Sequence, residues 1–286
     1  MRARRTAETC SSSRKLLRRL LAAGLFLIAS SAWAQFLPEE IGERPKWEEY
    51  LKTARIFGSL QITGPEAVTE PWKLSLVNGS VTRFGLWKNP EGRRRGFIES
   101  WRTEIAAYRL DKILDLYMVP PTVERRFEEN AGSLQLWIES EMSLKTMMAE
   151  KIELPTPIIR GWNRAIYLQR AFDNLIANED RHASNLLIMK DWRIILIDHS
   201  RSFRTSTRFT TSLINSEHSP SGDLSPKELP RSFLAKIKGL TFASIKAAVG
   251  DDLTDDQIRA VLTRRDLILA DIDRLIQKNG EDRVLY

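Results

Sequence analysis

The sequence predicts an α+β fold in two lobes: a strand-rich first half carrying one prominent helix, and a mainly helical second half. Three observations predict it. Residues 72–87 read as two short strands around Asn78-Gly79, a dipeptide suited to the positive φ angles of a tight hairpin turn. From Ser100 the apolar spacing becomes helical, with Ile105, Tyr108, Leu110, Ile113 and Leu114 on one broad face. Beyond residue 160 two longer helical patterns dominate, over 162–177 and from the capping pair Thr254 and Gln257 onward.

In chain order, residues 1–34 carry the marks of an export signal. Arg2, Arg4, Arg5, Arg14, Lys15, Arg18 and Arg19 form a basic region, residues 20–28 an apolar one, and Ala32-Trp33-Ala34 a small-x-small cleavage site. This predicts an exported, periplasmic or secreted protein with no stable membrane span after cleavage; the alternative is an uncleaved N-terminal anchor, for which the apolar stretch is short. A short helix is expected from Trp47, then strands over 72–76 and 81–87 with Lys88 ending the second. Residues 89–95, with Pro90 and Gly92, read as a polar loop. The helix that follows ends at Met118-Val119-Pro120-Pro121, and strands are expected over 122–126 and 133–138, with a connector over 136–139. Residues 186–189 and 192–197 read as a second hairpin about Lys190-Asp191. Residues 201–230 are polar, Ser-rich and aperiodic, which predicts a mobile loop; a helix follows from Pro230 through Ile237, and Asn279-Gly280 ends the last long helix.

Composition narrows the chemistry. The 286 residues hold 44 Lys and Arg against 37 Asp and Glu, a net charge of +7. Removing seven basic and one acidic residue with the leader leaves 37 against 36, or +1, so the basic character belongs mostly to the export signal and no nucleic-acid partner is called for. Arg93, Arg94 and Arg95 form a local basic cluster of the kind found in solvated turns. Cys10 is the only cysteine and lies within the leader, which excludes disulfides, thiolate metal sites and thiol nucleophiles from the mature chain. Three histidines, His182, His199 and His218, argue against a histidine-rich zinc centre.

One run concentrates chemistry. Asp180 and Asn185 stand five apart after the 162–177 helix, and Asp198 closes the hairpin that follows. Phosphoryl transfer needs a carboxylate to orient an acceptor hydroxyl, a carboxamide nearby to help hold magnesium, and a second carboxylate at a strand end for the metal that bridges the phosphates. A two-stranded hairpin would return Asp198 close to Asn185. The nucleotide needs a cation as well: Lys88 at a strand end, paired with Glu104 in the next helix, suits the α and β phosphates, with Glu99 as a rival to Glu104. The connector offers backbone groups to a purine edge, and Met142, Met147 and Met148 line the cleft or simply pack. The usual glycine-rich phosphate loop is missing; residues 62–65, with Gly64, are its nearest equivalent.

EIAAYRLDKILDLYMVPPTVERR (104–126), NLIANEDRHASNLLI (174–188) and ILIDHSRSF (195–203) together resemble segments of the secretory-pathway kinase-like family, of the Golgi casein kinase and xylosylkinase kind. More distantly they resemble phosphoinositide kinases and HipA-like bacterial kinases. The resemblance spans roughly residues 72–203. It implies a two-lobed protein-kinase-like fold, with residues 35–139 as N-lobe and 140–286 as C-lobe. It also implies ATP and magnesium, with manganese as an alternative, and a hydroxyl-bearing acceptor. By residue it implies Lys88 on the phosphates, Glu104 as its partner, Asp180 as catalytic carboxylate, and Asn185 and Asp198 as metal ligands. Secreted eukaryotic members use disulfides, whereas this chain must rely on packing. His199-Ser200 stands where kinases carry Phe-Gly or Asn-Gly, a departure that keeps open a second reading as an inactive, nucleotide-binding kinase fold. Arg181 is expected to anchor its own loop and His182 to bond within it.

Overall fold

The computed structural model describes residues 36–64, 69–94 and 96–286; the export-signal reading of residues 1–34 lies outside them. Two short helices, α1 (Pro38–Gly42) and α2 (Arg44–Thr53), precede a five-stranded antiparallel sheet. Its strands are β1 (Arg55–Gln61), β2 (Trp72–Asn78), β3 (Val81–Lys88), β6 (Thr122–Phe127) and β7 (Asn130–Leu136), in the order β1-β2-β3-β7-β6. Gly79 takes φ +57° at the β2–β3 turn, whose two residues are Gly79 and Ser80; Asn78 pairs with Val81, so the turn falls one residue later than the Asn-Gly dipeptide predicts.

Alternation along the strands decides which side each residue serves. Leu74, Leu76, Trp87, Val123 and Leu134 pack with Tyr50 and Leu51 of α2 into a small apolar core. The Tyr50 hydroxyl donates to the Leu76 carbonyl at 2.8 Å. Lys88, next to Trp87, therefore points to the opposite side. Gly132 makes this packing close: a Cβ there would lie 2.5 Å from the Lys88 carbonyl oxygen and 2.7 Å from the Trp87 ring.

Residues 89–95 are not a simple loop. Strands β4 (Glu91–Arg94) and β5 (Phe97–Ser100) form a hairpin that turns through Gly96 at φ +90°. Its glycines and charged residues read as loop because both strands lie largely exposed and lack apolar alternation. Ser100 then caps α3 (Trp101–Ile113), its side chain accepting from the Arg102 N–H at 3.3 Å.

Three strands at the head of the second lobe, β8 (Met142–Ser143), β9 (Leu186–Ile188) and β10 (Ile194–Leu196), pair in the order β10-β9-β8. Among them lie α4 (Leu144–Ala149) and the long α5 (Ile159–Ile176). After them come α6 (Arg208–Thr211), α7 (Arg231–Lys238), α8 (Phe242–Val249), α9 (Asp255–Asn279) and α10 (Glu281–Val284). Leu168, Phe172 and Leu175 of α5 share one core with Ile258, Val261, Ile268 and Ile272 of α9. Thr254 and Gln257 cap α9 reciprocally. The result is a strand-rich first lobe on a mainly helical second, the two-lobed α+β fold the sequence predicts. Among the described residues no helix is long and apolar enough to cross a membrane.

The segment over 201–230 is mostly irregular, with one short helix, and it is tied to the helical lobe. Its Asn215 exchanges hydrogen bonds with the Asn174 side chain of α5, and Arg264 of α9 donates to the Arg204 carbonyl at 2.7 Å. The Leu229 N–H donates to Val284 at 2.8 Å. Polar residues that read as loop formers are here hydrogen-bonded to the helical lobe.

Candidate active site

Lys88 ends β3, and its ammonium lies 2.8 Å from Glu104 Oε1 and 2.9 Å from Asp198 Oδ1. Lys88 is 6% exposed and Glu104 2%. Burial pushes the ammonium toward the neutral form, but the two carboxylates overcome this and hold its pKa above the ordinary lysine value. Burial likewise pushes Glu104 up, and Lys88 with His199 more than reverses it, so this carboxyl stays ionised. Removing one partner from such a buried pair costs roughly 3–5 kcal/mol. The second oxygen of Glu104 accepts the His199 N–H at 2.9 Å, so one carboxylate on α3 fixes both the lysine and the backbone after Asp198. Glu99, the rival, faces Arg201 instead.

The loop leaving α5 is organised by Asp173, a fully buried carboxylate. It accepts from Arg181 Nε and Nη2, each at 3.0 Å, and from the Asn178 amide. Arg181 also donates to the Ile197 carbonyl at 2.6 Å and the Asn185 carbonyl at 3.2 Å, which joins the loop to the strand leading to Asp198. As expected, it anchors its own loop. Arg181 Nη2 lies 2.9 Å from His199 Nε2. A guanidinium can only donate, so Nε2 accepts and the imidazole proton sits on Nδ1, which faces Glu104 Oε2 at 3.7 Å. Burial, helped by Arg181, depresses the pKa of His199 and keeps the ring neutral.

Asp180 is contacted at both oxygens. His182 Nε2 lies 2.5 Å from Oδ1, and Arg201 Nη1 lies 3.0 Å from Oδ2. The Asn185 amide donates to the Asp180 carbonyl at 3.2 Å. That carbonyl can only accept, so the amide nitrogen faces it and the amide oxygen is left for another partner.

The β9–β10 hairpin returns the chain as its pattern predicts, and the Ile197 N–H donates to the Asn185 carbonyl at 3.1 Å. Asp198 then adopts φ +60°, a left-handed conformation uncommon for a residue other than glycine. Its protein contacts fall on Oδ1, from Lys88 and from the Ser200 hydroxyl at 3.2 Å. Among the described residues, Oδ2 has no partner. Asp180, Asn185, Asp198, Ser200 and Arg201 line one cleft of about 410 Å³. Asp198 Oδ2 and the Asn185 amide oxygen are hard oxygen donors that fit a magnesium-type ion completed by phosphate and water oxygens. Among the described residues no three His, Cys, Asp or Glu side chains converge into a metal-holding group.

The missing glycine has a local explanation. Left-handed backbone falls on Asp198 and Phe203, at φ +60° and +62°, and not on His199 or Ser200. The Ser100 N–H donates to the Ser200 carbonyl at 3.0 Å, so this turn is held by the start of α3.

Sequence reading missed an aromatic surface on the five-stranded sheet beside the connector. Phe84 and Leu86 alternate with Trp87 and share the side of Lys88 on β3, and Leu60 and Lys73 stand in register with Leu86. The Lys73 ammonium lies 4.2 Å from the Phe84 ring centre and 4.0 Å from that of Trp137 in the connector. The Trp137 N–H donates to the Phe84 carbonyl at 3.0 Å. These aromatics, not the methionines, form the apolar surface by the connector. Met147 is buried in the helical-lobe core with Met142 packed against it, and Met148 is exposed. Gly64 takes φ +135°, and residues 65–68 beyond it lie outside the described set.

No protein-family model and no curated protein matches this chain. Solved structures do. That of hydra Fam20 with sugar aligns at TM-score 0.61 and 17% identity, over 90% of this chain and 95% of the other. The Golgi casein kinase with Mn/ADP bound aligns at 0.60 and 13% identity, over 95% and 92%. A further structure of the Golgi casein kinase aligns at 0.59 and 15%, over 85% and 77%. At these identities the likeness is one of fold: the chain shares its two-lobed architecture with these structures.

Proposed function

We propose that this chain is an ATP-dependent, magnesium-assisted kinase that transfers a phosphoryl group to a hydroxyl of a protein, glycan or small-molecule acceptor. The observation that carries the reading is the buried Lys88 ammonium shared by Glu104 and Asp198, with Asp180 and Asn185 on the cleft that Asp198 also lines. The fold likeness to a kinase seen with Mn/ADP supports it. Residues 35–139 would serve as the nucleotide-holding N-lobe and 140–286 as the C-lobe, in an exported chain with no nucleic-acid partner.

In this mechanism Lys88 neutralises α- and β-phosphate oxygens, held in reach by Glu104. Asp198 and Asn185 would hold the metal ion, which supplies charge neutralisation at the phosphates when bound. Asp180 accepts the hydrogen bond of the acceptor hydroxyl and orients its oxygen toward the γ-phosphorus. A new O–P bond forms as the bond from that phosphorus to the β–γ bridging oxygen breaks. ADP leaves with that electron pair, and the acceptor proton passes to Asp180 and then to solvent. A second reading, a nucleotide-binding module without turnover, draws on the contacts that His182 and Arg201 make at both oxygens of Asp180.

Calorimetric titration of ATP with magnesium or manganese tests the nucleotide half. Asp198→Ala and Asn185→Ala are expected to weaken metal-dependent binding at least ~10-fold, about 1.4 kcal/mol. Equal affinity in all three proteins, or affinity indifferent to metal, would contradict the assignment.

A further inference from the structure

We propose that Arg201 is a positioning residue that fixes the Asp180 carboxylate and selects which of its oxygens receives the acceptor hydroxyl. The inference rests on the phosphoryl-transfer reading and deepens it.

The guanidinium is shared between two carboxylates from different parts of the fold. Its Nε and Nη2 lie 2.7 and 2.6 Å from Glu99 Oε1, on β5 of the first lobe. Its Nη1 lies 3.0 Å from Asp180 Oδ2, on the loop after α5. Phe97, two residues before Glu99, stacks its ring 4.3 Å from the guanidinium carbon. Glu99 is 1% exposed and Arg201 9%, so the pair is held away from water.

The geometry at Glu99 shows what sets the arginine's orientation. An isolated arginine–carboxylate pair favours two parallel hydrogen bonds, one to each oxygen. Here both nitrogens converge on Oε1, and Oε2 is buried without a hydrogen-bond partner among the described residues. The fork is turned from its best fit on Glu99 so that Nη1 reaches Asp180.

The other oxygen of Asp180 meets a different kind of neighbour. Its partner His182 has a side chain 69% exposed, whereas that of Arg201 is 10% exposed. An acceptor can displace a solvent-facing imidazole far more readily than a stacked guanidinium anchored by a buried carboxylate. Oδ2 is therefore the held oxygen and Oδ1 the one that takes the acceptor. Because Arg201 follows Asp198 by three residues, the turn that presents the metal-facing carboxylate also fixes the hydroxyl-facing one.

The test compares wild type, Arg201→Ala, Arg201→Lys, Glu99→Gln and Asp180→Asn as full chains, using magnesium-ATP and phosphate release to water as the probe reaction. Misplacing the carboxylate by about 1 Å is expected to lower kcat of Arg201→Ala by roughly 10²-fold. ATP affinity is expected to stay within about twofold, because Lys88, Glu104 and Asp198 are untouched. Arg201→Lys, with a single point charge, is expected to fall between wild type and Arg201→Ala, and Glu99→Gln to fall in the same direction. Added guanidinium ion should restore part of the rate to Arg201→Ala and none to Asp180→Asn. Wild-type turnover that persists in Arg201→Ala overturns this inference alone. Joint loss of thermal stability, ATP binding and rate in both Arg201 variants, without rescue, assigns Arg201 a structural role and overturns it too. A wild-type chain that does not turn over ATP overturns the kinase reading and this inference together.

Discussion

At position 199 a buried imidazole stands between the two halves of the cleft, accepting from Arg181 and facing Glu104, with its ring edge-on to Phe172 at 6.2 Å. Its pKa is depressed by burial, so the folded chain binds a proton there less readily than the unfolded chain, whose histidine titrates near ~6.5. Stability from this residue is complete above that pH and declines as pH falls through it, because protons then favour the unfolded state. Urea midpoints of wild type are expected to fall between about pH 7.5 and pH 5.5, by up to ~1.4 kcal/mol per unit of depression, and His199→Asn is expected to flatten the slope. A wild-type midpoint that does not change over this range would contradict the buried neutral tautomer. That Lys88 and Glu104 meet, and that Asp180, Asn185 and Asp198 share one cleft, was legible because each is tied to a strand end, a helix turn or a fixed loop spacing. Arg201 and Glu99 were not, since their pairing spans 102 residues and depends on how the chain turns after β10.

Gly132 shows how an element serves the site without touching it. A methyl group there meets the Lys88 carbonyl and the Trp87 ring inside ordinary contact distance, and the carbonyl belongs to backbone that cannot swing aside. Gly132→Ala is expected to cost about 1–3 kcal/mol of stability and to weaken ATP binding by displacing Lys88. Thermal unfolding and ATP titration check this together; a variant with wild-type values in both would show that β7 does not set the lysine. The β2–β3 and β9–β10 hairpins and the capped helix α9 were readable from local chemistry, which acts within a few residues. The β4–β5 hairpin was not, because its strands bury little and its glycines imitate a loop. The tethers of the 201–230 segment were hidden for a related reason: the partners of its polar groups lie on α5, α9 and the chain end.

Across the whole molecule several ionic contacts join the lobes, Arg109 with Asp252 and Arg193 with Glu40 among them, and two more meet at the cleft. Lys88 and Glu104 of the first lobe reach Asp198 and the His199 backbone, and Glu99 reaches Arg201 and through it Asp180. Both hold in a chain with no cysteine after residue 10, so no disulfide supports them. The sequence carried the two-lobed division because strand and helix periods segregate along it, but not the bridges, which exist only once the lobes meet. Transfer of labelled γ-phosphate from magnesium-ATP by the full chain, beside its Asp180→Asn variant, tests the assignment most directly. Metal-dependent transfer that falls ~10²- to 10⁴-fold in the variant, the usual contribution of a positioned acid–base group, is the expected result. Equal transfer by both proteins, or none by the wild type, would contradict it.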